Sequence, residues 1–292
     1  MTKSIKYGAT MYMPALRPDL DLVANGHKYP ALRTVVFCTE DSLSLSQLPA
    51  ALDNLRASLP KLEPTGLYRF IRPRNPEVLK VILSMPHINR INGFVIPKAD
   101  RFNLPEYFRL LERRDGFELM PTIETDVAFD LGELYRLRDY LSGSPIKSKI
   151  ACLRIGSLDL LSILGLRRDL NLSIYDTPVG HAIDQLITVF KPVGFELSAP
   201  GFEGLDMSKV LSQELSLDIS RGLFAKTCVH PCQIEIIQDA YQVLPEEYLM
   251  AREVLNPENP AVFRLNDRMC EKAVHTNWAN GVIERAQLFG AF

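Results

Sequence analysis

Two short apolar segments decide the fold of this chain: CLRIGSLDL, residues 152–160, and MPTIET, residues 120–125. Each begins with the apolar pattern of a buried strand and ends near a carboxylate, Asp159 in the first segment and Glu124 in the second. Catalytic groups of a parallel-strand barrel lie at the C-terminal strand ends, so acids from successive strands face one another across the mouth. Proteins commonly hold Mg²⁺ with one or two such oxygen ligands, leaving positions for water and substrate. The sequence therefore predicts a magnesium site at Glu124 and Asp159, although an acid after a strand can also cap a helix or pair with a cation.

The rest of the chain alternates between strand and helix patterns. Apolar runs predict strands at residues 10–13, 33–38, 67–72, 93–98, 117–123, 150–156, 194–199 and 222–229. Helical spacing, with prolines at several boundaries, fills most of the intervals. This alternation favours a (β/α)8 TIM barrel in residues 1–245 over a doubly wound sheet. Residues 246–292 predict a C-terminal helical extension, suited to covering the barrel mouth or to contacting a neighbouring subunit.

Composition excludes several classes of protein. Hydrophobic residues make up 47% of the 292 residues and charged residues 23%, which is close to the average of soluble globular proteins and suggests neither a disordered nor a membrane protein. A net charge of -2 argues against binding nucleic acid through bulk electrostatics. The five cysteines form no CxxC pair, and the first residues lack the apolar core of a signal peptide. We therefore expect a cytoplasmic protein with reduced thiols and a small-molecule substrate.

Other charged residues also follow predicted strands. Arg17 follows the first strand, where it can hold a carboxylate or phosphate or lie on the surface. Glu40 and Asp41 follow the second, where they can orient water at the metal, act as acid or base groups, or cap the next helix. Arg72 ends the third strand and can bind a substrate carboxylate or thioester oxygen, or pair with an acid. Lys98 ends the fourth and can bind substrate or pair with an acid in the mouth.

Several short motifs occur in the order of a known family. They are YMPALRP at 12–18, TEDS at 39–42, PK at 97–98, IET at 123–125, GSLDL at 156–160 followed by LG at 164–165, and VHPCQI at 229–234. The series resembles the citrate lyase beta-subunit-like branch of the HpcH/HpaI aldolase family. The segment LNDRMCE, residues 265–271, is similar to the C-terminal segment of that family.

This resemblance implies a TIM barrel, often trimeric, that uses Mg²⁺ to make or break carbon-carbon bonds next to a carbonyl. Coenzyme A thioesters are common substrates of the family. Glu124 and Asp159 stand at the positions of its metal ligands, and Arg72 at that of an arginine that steadies an enolate or a substrate carboxylate. Glu40 and Asp41 match the acidic pair after the second strand.

At the C-terminal end, Glu271 aligns with an acid that reaches a neighbouring subunit's site in some members of the family. Other positions depart from the pattern. Cys38 stands where the family has an aspartate, residues 47–49 (QLP) lack a usual lysine, and Arg74 replaces an asparagine.

We therefore expect a Mg²⁺-dependent carbon-carbon lyase or condensing enzyme that acts on a small oxo or hydroxy acid or its CoA thioester. One alternative is a thioesterase or malate-synthase-like activity on an acyl-CoA. Another is a catalytically altered barrel that serves as a subunit of a biosynthetic complex. In each case we expect a homo-oligomer, with a trimer as one form.

Overall fold

The computed structural model describes residues 4–291 and confirms the predicted parallel α/β barrel. In this range the parallel sheet contains β1 (Thr10–Pro14), β2 (Thr34–Cys38), β3 (Tyr68–Arg72), β4 (Gly93–Ile96), β5 (Glu118–Ile123), β6 (Arg154–Ile155) and β7 (Thr227–Cys228). The strands follow one another in chain order from β1 to β6, and β7 pairs with the free edge of β1.

The barrel closes through the predicted strand at 194–199, which forms isolated bridges rather than a regular strand. Leu197 pairs with Leu153 beside β6, and Ser198 pairs with Phe224 ahead of β7. The last predicted strand is also shorter than expected, because Ala225 has a φ of 55°. A left-handed residue cannot continue an extended backbone, so regular pairing resumes only at Thr227.

Helices cover the outside of the barrel. They are α1 (Leu20–Ala24), α2 (Leu48–Ser58), α3 (Pro76–Leu83), α4 (Leu104–Leu111), α5 (Leu131–Gly143), α6 (Ser157–Ile163), α7 (Pro178–Phe190), α8 (Ser208–Ser220) and α9 (Ile234–Ala240). Each longer helix packs an apolar face against the barrel. In α4, this buried face is formed by Leu104, Tyr107, Phe108 and Leu111. Alternate strand residues point into the barrel, where Val36, Phe70, Val95 and Met120 belong to a separate apolar cluster.

A buried ionic cluster joins α8 to the barrel wall. The Nζ of Lys226 lies 2.9 Å from Glu214 Oε1 and 2.8 Å from Asp218 Oδ2, and Arg168 pairs with the same Glu214. The Tyr175 hydroxyl also donates to Asp218. Two cations therefore balance two carboxylates, which is the condition under which buried charges are tolerated.

The C-terminal extension contains α10 (Pro245–Leu255), β8 (Val262–Leu265), β9 (Arg268–Glu271) and α11 (Lys272–Phe289). The last helix and α10 share a small core that includes Ala251, Val254, Ala279 and Val282. Residues 262–271, which the sequence analysis assigns to a helix-rich segment, form an antiparallel hairpin instead.

The end of α11 packs under the barrel rather than over its mouth. Arg33, just before β2, donates to the carbonyl of Leu288 at 2.8 Å, and Phe289 meets Tyr241 edge to face. These contacts lie at the N-terminal strand ends, opposite the mouth. The expectation of a cover over the mouth is therefore wrong for this helix, and contact with another subunit stays a prediction. Between residues 4 and 291, no helix is long and apolar enough to cross a membrane.

Candidate active site

A cavity of about 230 Å³ opens among the C-terminal ends of the barrel strands. Arg72 at the end of β3, Glu124 just after β5 and Asp159 in the first turn of α6 all line it. The structure thus brings together both predicted metal ligands and the predicted enolate-binding arginine. The lining also includes Tyr12, Cys38, Thr122, Arg154 and Thr227.

Glu124 is the most constrained acid of this cavity. Its side chain is 2% exposed, and its Oε1 accepts hydrogen bonds from Arg72 Nη2 at 2.7 Å and from the Lys98 backbone N–H at 2.8 Å. Gly156 makes room for it. A Cβ at that position would stand 2.5 Å from Glu124 Cβ and 2.6 Å from Oε2, far inside any allowed contact. The glycine of the GSLDL motif is therefore required by the position of the Glu124 side chain.

The protonation of Glu124 reflects competing influences. Burial, the largest influence, and the Asp159 carboxylate raise its pKa, Arg72 lowers it, and the net result is a pKa of about 7. Like charges brought together in a poorly hydrated place disfavour the ionised form unless a cation joins them. Two carboxylates that repel one another at the mouth are therefore a suitable pair for holding a cation.

Arg72 is joined to Lys98 through the acidic pair after β2. Its Nη2 lies 3.0 Å from Glu40 Oε2, and Lys98 Nζ lies 2.5 Å from Glu40 Oε1 and 2.9 Å from Asp41 Oδ2. Partial burial is the largest single influence and raises the pKa of Asp41, but the hydrogen bond from Lys98 and the interactions with Glu40 and Arg72 together hold the pKa below its usual value. Burial likewise opposes the charge of Lys98, yet its hydrogen bonds to Glu40 and Asp41 raise its pKa. The acidic pair and Lys98 thus form a charged layer beside the cavity.

The backbone of Lys98 contributes directly to the site. Its φ of 48° lies in the left-handed region, which a side chain other than glycine adopts at a cost. Its N–H donates to Glu124, and its carbonyl accepts from the side chain of Asn103. The Glu124 carboxylate is therefore held by one side-chain and one backbone donor.

The charge balance of the mouth favours a cation. Glu40, Asp41, Glu124 and Asp159 supply four carboxylates, whereas Arg72, Lys98 and Arg154 supply three positive charges. One negative charge is therefore uncompensated when all four carboxylates are ionised. Among residues 4–291, no set of three or more His, Cys, Asp or Glu residues is arranged to hold a metal. A two-carboxylate site matches Mg²⁺, which keeps several of its waters and uses few protein ligands.

A sequence profile of the C–C bond lyases of the TIM-barrel fold matches residues 1–291. The chain belongs to this family. The family resemblance seen in the sequence motifs is thereby confirmed. No functionally curated protein matches the chain.

Solved structures share the fold at low identity. CitE from Mycobacterium tuberculosis, in complex with magnesium, acetoacetate and coenzyme A, is 21% identical with a TM-score of 0.72, covering 98% of this chain and 100% of that one. A citrate lyase from Burkholderia xenovorans LB400 is 17% identical with a TM-score of 0.75, covering 98% and 93%. RipC from Yersinia pestis is 17% identical with a TM-score of 0.61, covering 82% and 96%. These similarities show the barrel fold.

Two predicted substrate-binding residues lie apart from the cavity. Arg17 makes two hydrogen bonds to the neighbouring Asp19, at 2.9 and 2.8 Å, and does not line the cavity. Glu271 lies immediately before α11, where its N–H donates to His275 Nδ1. Among residues 4–291, no hydrogen bond or ion pair joins Glu271 to the mouth residues, and a role in a neighbouring subunit's site stays a prediction.

Arg154 and Thr122 also line the cavity, although neither is among the site residues predicted from the sequence. They are opposite one another in the pairing of β5 with β6. Arg154 lies in one of the segments that decide the fold, and a charged residue within an apolar strand was the available signal. Its inward direction is fixed only once the register of the strand is known.

Arg74, which departs from the family pattern, holds the loop that carries the acidic pair. Its Nη2 donates to the carbonyl of Glu40 at 2.7 Å and also to that of Leu43, and its Nε donates to the carbonyl of Thr39. Arg74 thus holds the loop between β2 and α2 in place.

Proposed function

We propose that this protein is a Mg²⁺-dependent lyase that breaks or forms a carbon-carbon bond next to the carbonyl of a small oxo or hydroxy acid or of its CoA thioester. The observation that carries the proposal is the meeting of Arg72, Glu124 and Asp159 at one barrel mouth in a member of the C–C bond lyases. The bond to be broken leaves an enolate, so the site must stabilise a negative charge that grows during the reaction.

Glu124 and Asp159 are the residues that would hold the metal. When bound, Mg²⁺ would supply Lewis-acid stabilisation to the oxygen on which charge develops. The protein's part is to hold both carboxylates at the cavity. Arg72 and the Lys98 backbone fix the Glu124 carboxylate, and Gly156 leaves the space that this carboxylate needs.

Arg72 is suited to bind the enolate oxygen or the adjacent carboxylate. Its Nη2 is engaged by Glu40 and Glu124, but its buried Nε has no hydrogen-bond acceptor among residues 4–291. A buried N–H without a partner costs stability, and a substrate oxygen would satisfy it. The side chain is already held by two carboxylates, so little conformational entropy is lost when substrate binds.

Glu40, Asp41 and Lys98 serve to orient the charged side chains of the mouth. Glu40 bridges Arg72 and Lys98, which keeps both cations at the mouth. The lowered pKa of Asp41 makes it a weak base, so holding Lys98 suits it better than abstracting a proton. Lys98 then remains positively charged beside the place where an anionic substrate enters.

Related proteins of the same fold support this substrate class. The M. tuberculosis CitE structure contains acetoacetate and coenzyme A, and a citrate lyase beta subunit of that organism contains oxaloacetate and magnesium. A cavity of about 230 Å³ accommodates the reacting part of such molecules. The long part of a thioester would extend outward from the mouth.

Enolate formation can be tested before the full substrate is known. The protein would be incubated in D₂O with pyruvate, oxaloacetate or acetyl-CoA, with and without Mg²⁺, and exchange of the protons next to the carbonyl would be followed by NMR. We expect Mg²⁺-dependent exchange above the protein-free rate with at least one compound. We expect Arg72→Met to slow that exchange by about 100-fold, the usual cost of losing one donor to a developing oxyanion.

A control variant separates chemistry from folding. Arg17→Met removes an arginine that is paired with Asp19 outside the cavity, and its exchange rate should match that of the natural protein. Exchange that is absent with every compound, or that persists unchanged in Arg72→Met, would count against the proposed lyase.

A further inference from the structure

Arg154 is a buried cation on the cavity floor. It is 1% exposed, it lines the cavity, and its guanidinium lies 5.3 Å from the ring centre of Tyr12. Its Nη2 donates to Thr227 Oγ1 at 2.6 Å and to the carbonyl of Ala225 at 3.3 Å, and Nη1 contacts the Met120 sulfur at 3.8 Å. An arginine has five N–H donors, so these contacts leave donors unused.

The surroundings of Arg154 differ from those of the other buried cations. Among residues 4–291, the buried Lys and Arg side chains are Arg69, Arg154, Arg168, Lys226 and Arg285. The last three of these each pair with a carboxylate. Arg154 has no carboxylate partner in the part of the chain that the structure describes. Burying an unpaired charge is strongly unfavourable unless an anion or a polar ligand offsets the lost hydration.

Arg69 shows how a structural arginine is satisfied in the same barrel. It donates to the carbonyls of Ala24, Arg90 and Glu63 and to Asn25 Oδ1, and it does not line the cavity. Neutral oxygens therefore surround Arg69, whereas Arg154 has a hydroxyl, one long carbonyl contact, a thioether and open space. Open space beside a buried cation is where an anionic ligand would bind.

A second side chain on the floor also lacks a partner. The Thr122 Oγ1 is buried without a hydrogen bond among the described residues, although Thr122 lines the cavity. The residue is 5% exposed and stands directly opposite Arg154 in the strand pairing. It lies two residues before Glu124 on the same strand face, so the floor lies one step below the predicted metal ligands.

We propose that Arg154, assisted by Thr122 and Thr227, binds a second carboxylate of the substrate at the barrel floor. The enzyme would thus select a short dicarboxylic oxo or hydroxy acid over its monocarboxylic counterpart. This inference rests on the proposed function, because the reacting carbonyl must lie above the floor, at Arg72, Glu124 and Asp159. The guanidinium fork matches a carboxylate, and the small cavity limits the acid to a few carbons.

The test compares oxaloacetate with pyruvate, which differ by one carboxylate. Dissociation constants for both acids would be measured by calorimetry with Mg²⁺ present, for the natural protein, Arg154→Met, Arg154→Lys and Thr122→Val. We expect Arg154→Met to weaken oxaloacetate binding about 30-fold or more and to change pyruvate binding less than about threefold. Arg154→Lys should retain part of the preference, because it keeps the charge and loses the fork.

Thr122→Val distinguishes ligand binding from a structural role. It removes a buried hydroxyl that has no partner, so the melting temperature should stay the same or rise. Oxaloacetate binding should nevertheless weaken by about tenfold or more, as expected for one lost hydrogen bond to a charged group. This variant and Arg154→Lys decide the question if Arg154→Met does not fold.

Arg69→Met is the matched control, since it removes a buried arginine outside the cavity. It should lower stability without changing the ratio of the two dissociation constants. If the natural protein binds both acids with Mg²⁺ and neither Arg154 nor Thr122 variants alter that ratio, the floor site is wrong and the proposed lyase stands. If the natural protein binds neither acid with Mg²⁺, the floor site is wrong, and proton exchange with acetyl-CoA decides separately whether the proposed lyase stands.

Discussion

Gly156→Ala is a sharp test of the candidate site because it adds one methyl group against Glu124. The new Cβ would stand 2.5 Å from Glu124 Cβ and 2.6 Å from its Oε2. Carbon atoms pack at about 3.5 to 4.0 Å, so the Glu124 side chain must retreat by about 1 Å. Its Oε1 is held by Arg72 and by Lys98, which leaves no equivalent position for the displaced carboxylate.

A displacement of about 1 Å at a reacting centre can cost about 100-fold in rate. We therefore expect Gly156→Ala to weaken Mg²⁺ binding about 10-fold or more, a loss comparable to that from disturbing groups that orient metal ligands. The proton-exchange rate with an oxo acid should fall by about 100-fold. Calorimetry and NMR measure the two effects separately.

The control is Gly143→Ala, at the end of α5, where an added Cβ meets nothing within 4 Å. This variant should bind Mg²⁺ and exchange protons like the natural protein. A Gly156→Ala protein that retains both properties would refute the argument that the Glu124 carboxylate acts from its present position.

Three further predictions address charge and loop position. Without Mg²⁺, the natural protein should lose about 3 kcal/mol of unfolding free energy relative to Glu124→Gln as pH rises from about 4.5 to about 7. The raised folded-state pKa favours protonated Glu124, and the stabilisation from this proton disappears as Glu124 ionises. Urea unfolding at pH values on either side of this window measures the difference, and a difference that does not change with pH would contradict the prediction. Lys226→Met should lower the unfolding free energy by about 3 to 5 kcal/mol, since it leaves Glu214 and Asp218 without one of their cations. A loss below about 1 kcal/mol in the same assay would show that the cluster does not stabilise the barrel. Arg74→Ala should slow proton exchange about 10-fold by releasing the loop that carries Glu40 and Asp41. An unchanged rate, with the fold intact by circular dichroism, would show that Arg74 does not position this loop for the reaction.

The alternation of strand and helix was readable because local signals agreed with the tertiary structure. One of the intervals predicted to be helical, between the strands at 150–156 and 194–199, contains α7, in which proline marks the first turn and apolar residues follow helical spacing. The predicted strand at 194–199 became two bridges because pairing depends on neighbours that come from distant parts of the chain.

The hairpin of the extension had a signal that was not used. Asn266 and Asp267 lie between two short strands, and Asn266 adopts a φ of 51°. Asparagine and aspartate at such a two-residue turn are typical of a β-hairpin. The helical interpretation of residues 262–271 was wrong because the polar and apolar pattern of a short segment fits either structure.

The candidate site was predictable where a residue's role depends on its place after a strand. Glu124, Asp159 and Arg72 fall into this class, and the barrel topology brings them to one cavity. Arg17 instead pairs with Asp19, an acid two residues away. The role of Arg154 was not predictable. It depends on the three-dimensional surroundings of the guanidinium, which among residues 4–291 include no carboxylate partner and leave N–H donors unused.

The most direct test of the central claim is Mg²⁺ binding by calorimetry, with the natural protein, Glu124→Ala and Asp159→Ala, in the presence and absence of oxaloacetate. We expect the natural protein to bind Mg²⁺, oxaloacetate to strengthen the binding, and either substitution to abolish it. Binding that survives both substitutions, or a natural protein that binds no Mg²⁺ with or without the acid, would contradict a metal site at these two carboxylates.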